Sequence, residues 1–272
     1  MITHRINGER VVLLGWSRAI LLQLAHPLVA AGIADHSGFR GGAIAAAIRL
    51  RHTVRAMLNL AFGDRAAAEA TIAGIRAIHR RVHGHLREPT GPFPAGHPYS
   101  AEDPALLLWV HATLIESVIL VYEQLVGPVS DADRDQYCED SAAVALALGA
   151  REGEVPRTWA ALRHYLDGAH ASGVLAVGTD ARVLSHAILY PPISVITAPI
   201  AWVNRSMALG LLPDAIRTQY GFTWSRRRDR QLKLVMRLVR LMRRALPFGW
   251  ERWPEARRAR LPRHGLEAVL RP

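Results

Sequence analysis

The chain of 272 residues reads as a single all-α domain, and three observations lead there. Apolar residues recur at steps of three and four along most of the sequence, the period of a helix face. No succession of short alternating runs points to a sheet, and no tandem repeat is present. Half of the residues are hydrophobic, enough for a sizeable core without cross-links. The only cysteine, Cys138, excludes a disulfide framework and any Cys-based zinc or iron–sulfur site.

In chain order, residues 11–33 form an apolar helical stretch with a break at His26-Pro27, because proline lacks the N–H and disfavours helix in the residue before it. Residues 42–62 follow as a helix ended by "FGD". The 65–86 segment has the clearest face: Ala68, Ile72, Ile75, His79, Val82 and Leu86. "EPTGPFPAGHP" (88–98) is a loop. "SAED" (100–103) then reads as a capping box, with Ser100 as the cap and Asp103 answering, ahead of an apolar run over 104–126. A helix restarts near Ser130, an amphipathic helix covers 155–170, a short helix and a turn fill 211–225, and a long basic helix spans 225–246. The uncharged runs 19–34 and 183–204 are expected as buried core segments. The first has 16 residues with His26 and Pro27 inside it, and the second carries Pro191, Pro192 and Pro199, whereas a membrane span needs about 20 apolar helical residues.

The net charge of +11 is localised. Residues 1–225 hold 19 Arg against 19 Asp and Glu, while residues 226–264 hold 14 Lys and Arg against 3 acids. Within the basic helix, Arg226, Arg230, Lys233, Arg237, Arg240 and Arg244 form a stripe beside Leu234, Val235, Leu238, Leu241 and Met242. Such a helix either packs on the core with solvated arginines or meets an anionic membrane surface, where each cation contributes about 1 kcal/mol. Trp250 and Trp253 beyond it favour an interface. Nucleic acid is not expected, since no aromatic interleaving or motif accompanies the charge. The lone cysteine, and an N-terminus "MITHRINGER" without the layout of a signal peptide, point to a cytoplasmic chain, peripheral to a membrane if the basic helix docks.

"AIHRRVHGH" (77–85) holds three histidines. His79 lies on the apolar stripe, His83 roughly 40° around the helix from it, and His85 near the helix end. A buried His79 is either a satisfied core residue or a ligand. The His79/His83 pair lacks the glutamate of the metalloprotease motif, Arg80 standing in its place. "GWSRA" (15–19) raises a serine hydrolase with Ser17 in a nucleophile elbow, but Ala19 replaces the second glycine and no strand–helix alternation follows. His26, His36, His52 and His111 lie in or beside apolar segments, and Arg49, Arg51 and Arg55 share one helix. Together they suggest an anionic ligand held between helices. Haem suits this composition, with one neutral imidazole on iron and arginines on the propionates, but composition does not choose it over other ligands.

The stretches "LLLQLAHPLVAAGIADHSGFR", "FGDRAAAEATIAGIRAIHRRVHG", "PYSAEDPALLLWVHATLIES" and "GFTWSRRRDRQL" resemble the DUF2236 family, the oxygenase-type family of the rubber oxygenases, over residues 8–260, leaving 261–272 as a tail. The resemblance implies an all-α domain enclosing a haem b pocket. It implies that His79 ligates the iron, with Arg76 three residues before it and His83 where the family has arginine. It places an Arg–Thr pair of the pocket on Arg49 and Thr53, and the nearest counterpart of a catalytic acid on Asp35. His111 and His26 are further haem-side candidates, for the sixth iron position or a distal hydrogen bond. The function implied is a haem-dependent oxygenase acting with O2 on an apolar, isoprenoid or lipid-like substrate. The alternative is a haem-binding or membrane-surface protein without turnover.

Overall fold

A computed structural model describes residues 1–36, 42–191, 197–247 and 249–259; the tail 261–272 lies outside them, as do the side chains of 42–47 and Arg49. The chain opens with α1 (Ile2–Asn7) and a 3-10 turn over Arg10–Val12, then α2 (Leu13–Leu24). The helix stops before His26, and Pro27 begins α3 (Pro27–His36) at an angle of 108°. The break falls where the proline requires it. α4 (Gly42–Phe62) ends at the turn Gly63-Asp64, and Asp64 caps α5 (Arg65–His79) by accepting from the N–H of Ala67 at 2.8 Å.

The 65–86 segment does not stay helical. α5 stops at His79, and His83–His85 forms β1, paired antiparallel with β2 (Pro98–Ser100) across the Pro/Gly loop. Gly84 pairs with Tyr99, whose ring crosses so close that a Cβ at Gly84 would lie 2.5 Å from the tyrosine oxygen. Cross-strand pairing thus overrides the helical period of Val82 and Leu86. The cap expected at Ser100 also moves. Ser100 closes β2, while Asp103 caps α6 (Pro104–Leu125) with Pro104 at its first position.

α6 is apolar on nearly every side and forms the centre of the molecule, with 14 buried residues. Among the described residues it is the one unbroken helix long and apolar enough to cross a membrane, yet most of it is buried by other helices. α2 packs closest against it. A Cβ on Gly15 would stand 2.7 Å from the carbonyl oxygen of Ser117, so only glycine permits this approach. Three residues on, the buried Arg18 donates to Glu116 Oε2 at 2.8 Å, Ser117 Oγ at 2.7 Å and the Leu211 carbonyl at 2.7 Å. Glu116 also accepts from Arg163 at 2.5 Å. A buried charge persists only when paired and hydrogen-bonded in this way.

The remaining elements wrap this pair: α7 (Asp131–Leu148, capped by Ser130), α8 (Trp159–Ala171), α9 (Thr179–Leu189), α10 (Ala198–Gly210), α11 (Asp214–Gln219), α12 (Arg226–Ala245) and α13 (Pro254–Arg258). The fold is all-α apart from the one small hairpin among the described residues. The 19–34 run is core, as expected. The 183–204 run is not uniformly so, because Val183, Tyr190, Ile200 and Trp202 are exposed, and 192–196 lies outside the described residues.

Candidate functional site

α1, α2, α4, α5, α6 and α7 enclose a cavity of about 290 Å³ walled mainly by aliphatic and aromatic side chains. This is near the lower end of ordinary ligand pockets, about 300–1,000 Å³. Three histidines reach it from three helices: His4, His79 and His111. Burial lowers the pKa of each, that of His111 to about 4, and Arg252 and the N-terminal amine add to the effect at His4. Glu102 opposes the shift at His79 without reversing it. All three imidazoles are therefore neutral at pH 7, the form that coordinates metal.

Several other polar groups of the wall have partners. Tyr137 donates to Asn7 at 2.7 Å, and Thr3 to Asp140 at 3.2 Å. The histidines do not. His79 Nδ1 and His4 Nε2 are buried with no hydrogen bond, and so is Nε of Arg252, whose Nη2 donates to the His4 carbonyl at 3.2 Å. His111 makes no hydrogen bond among the described residues. Buried polar groups without partners are uncommon, and two of them, on His4 and His79, belong to residues that line one apolar cavity, a place where a ligand would complete the bonding. No group of three or more His, Cys, Asp or Glu able to hold a bare metal ion occurs among the described residues. A cofactor that brings its own equatorial ligands needs one or two imidazoles and an apolar slot, which is the donor set present.

The site residues expected from the sequence divide sharply. His79 and His111 line the cavity. His26 does not. It is buried behind a second cleft with Trp109, His164 and Tyr165, its pKa lowered to about 4 by burial and its Nδ1 unpartnered. Asp35 lies outside the cavity, accepting from Arg87 and from the Tyr99 hydroxyl at 2.6 Å. His83, on β1, and Arg76 and Thr53 are exposed, and the side chain of Arg49 lies outside the described residues. Ser17 is inside α2, its Oγ accepting from Asn204 at 2.9 Å, and among the described residues no strand precedes it. A nucleophile elbow is therefore absent there. His4 is a site residue that the motifs do not single out. The available signal is Ile2 and Ile6, four residues apart and both buried, which makes "MITHRINGER" an amphipathic turn rather than a polar lead-in.

The sequence pattern described as "ER-bound oxygenase mpaB/B'/Rubber oxygenase, catalytic domain" matches residues 4–241. Two uncharacterized proteins, one of Mycobacterium bovis and one of Mycobacterium tuberculosis, are each 26% identical over 238 residues, covering 84% of this chain and 87% of theirs. No solved structure matches the chain.

Proposed function

The chain belongs to the family of the mpaB-type and rubber oxygenase catalytic domains, and from that premise we propose that it is a haem b-dependent oxygenase acting with O2 on an apolar substrate of isoprenoid or lipid-like character. The single observation behind the cofactor is the set of neutral, unpartnered imidazoles around one apolar cavity. Haem, when bound, supplies an iron at which dioxygen is activated toward an electron-rich carbon.

The chain's own residues do the rest. His79, the last residue of α5 and part of the cavity wall, would hold the iron through its neutral imidazole. Asp64 fixes the start of that helix and so the position of its end. His111 stands in the same cavity as a neutral imidazole and would supply a hydrogen bond there. The aliphatic walls contributed by α4, α6 and α7 exclude water and hold an apolar chain by burial of its surface. Asp35 takes no part in this scheme, because its carboxylate is engaged by Arg87 and Tyr99.

A second reading has its own observation. If His111 occupies the sixth iron position, two imidazoles saturate the metal and the site suits electron transfer or storage. The deciding experiment supplies haem-loaded protein with isotopically labelled dioxygen and an isoprenoid alkene. Labelled carbonyl products support the oxygenase. A six-coordinate, low-spin spectrum with no uptake, converted to five-coordinate by His111→Ala, supports the second reading.

A further inference from the structure

α12 presents two faces that a solvated surface helix would not combine. Leu232 and Val235 pack into the seam with Val121, Leu125 and Met207 of α6 and α10. The apolar arc runs on beyond them. Leu234, Leu238, Leu241 and Met242 are all exposed, Met242 to 69%. They fall within an arc of about 100°, and Arg226, Arg230, Lys233, Arg237, Arg240 and Arg244 fill the neighbouring arc of about 80°. The apolar arc is therefore wider than its core contact: Val235 and Met242 stand about 20° apart, and past them the arc faces outward beside the cations.

The cations are not spent inside the protein. Arg240 donates to the Gln124 carbonyl, but Arg226, Arg230, Lys233, Arg237 and Arg244 make no hydrogen bond or ion pair among the described residues. Asp229, the one acid of α12, accepts from Trp224. The neighbouring α10 packs on α12. Its Gly210 lies against Leu232, and it exposes Ile200, at 69%, and Trp202. Trp250, just past α12, is exposed as well. Single exposed apolar residues are ordinary, but four on one arc of α12, beside cations without partners, mark an interaction surface.

We propose that this face docks on the surface of an anionic lipid bilayer, with α12 lying in the interface. A hydrophobic ridge flanked by unpaired arginines is the pattern of a helix buried to headgroup depth. The charge is complementary, because the excess positive charge of the whole chain lies in and beyond this helix. No α12 residue lines the histidine cavity, so the surface is tested without any cofactor.

The test is flotation of the full chain with vesicles of phosphatidylcholine alone or mixed with phosphatidylglycerol. The protein floats with the mixed vesicles, not the neutral ones, and is released at about 1 M salt, where the screening length falls to about 3 Å. R237Q/R244Q lowers the partition about 30-fold, each cation contributing about fivefold. L241Q/M242Q also lowers it without changing charge, and circular dichroism shows both variants folded. Absent binding, equal binding to both vesicle types, or unchanged partition in both variants overturns the proposal. So does a dimer that L241Q/M242Q dissolves, which would make a second copy the occupant, or co-purified nucleic acid whose removal by nuclease leaves no vesicle binding.

Discussion

His26 shows what one unpartnered residue does to the molecule. It is 8% exposed, its Nδ1 has no hydrogen bond, and burial lowers its pKa from 6.5 to about 4, against a smaller opposing effect of Asp103. Above pH 6.5 the ring is neutral in both folded and unfolded chains and has no effect on the pH profile. Between pH 6.5 and about 4 the unfolded chain takes up the proton first, so stability falls as the pH falls, by about 3 kcal/mol over the interval. His26→Leu removes this component. Melting temperatures recorded across that range flatten for the variant relative to wild type; parallel curves would show that His26 does not titrate this way. His79 and His111 add slopes of the same sign. His83 is exposed in β1 and does not line the cavity, so His83→Ala leaves the cavity unchanged.

At the scale of elements, the site depends on two contacts that fix helices relative to each other. Gly15 lets α2 meet α6, and Gly15→Ala drives a Cβ to 2.7 Å from a backbone oxygen that cannot turn away. We expect destabilisation of about 1–3 kcal/mol, typical of overpacking, despite the better helix propensity of alanine. Chemical denaturation checks this, and a more stable variant would contradict it. Asp64→Ala removes the cap of α5 and costs about 1 kcal/mol. Its effect on haem affinity, at the proposed site, is expected to exceed that of any exposed substitution on α5, because the helix carries His79 at its far end. Most helices are legible in the sequence: Pro27 marks the bend, "FGD" the turn, and Ser130 the cap of α7. The end of α5 is not. Its apolar period runs on past His79, and only the distant strand Pro98–Ser100, with Tyr99 crossing Gly84, stops it.

Across the whole molecule, the sequence carries the all-α class and an inward-facing His79, but not which histidines meet. Periodicity assigns a face to a residue; it does not say which faces share a cavity. His111 and Trp109 are two residues apart on α6, yet the first opens to the histidine cavity and the second to the cleft behind His26. His4 joins them from the chain's first turn, far away in sequence. Asp35 and His83 neighbour the site's motifs along the chain, and the hairpin carries them to its outside. The cavity gathers neutral imidazoles while the positive charge gathers on α12, so the proposed cofactor and membrane contacts fall on separate parts of one fold.

His79 is the iron ligand in the proposed haem site, and a haem titration followed by absorption tests that bond without any substrate. Wild type and His83→Ala are expected to develop a saturable Soret band, which a folded His79→Ala loses. No Soret band with wild type, or an undiminished one with His79→Ala, would overturn the assignment.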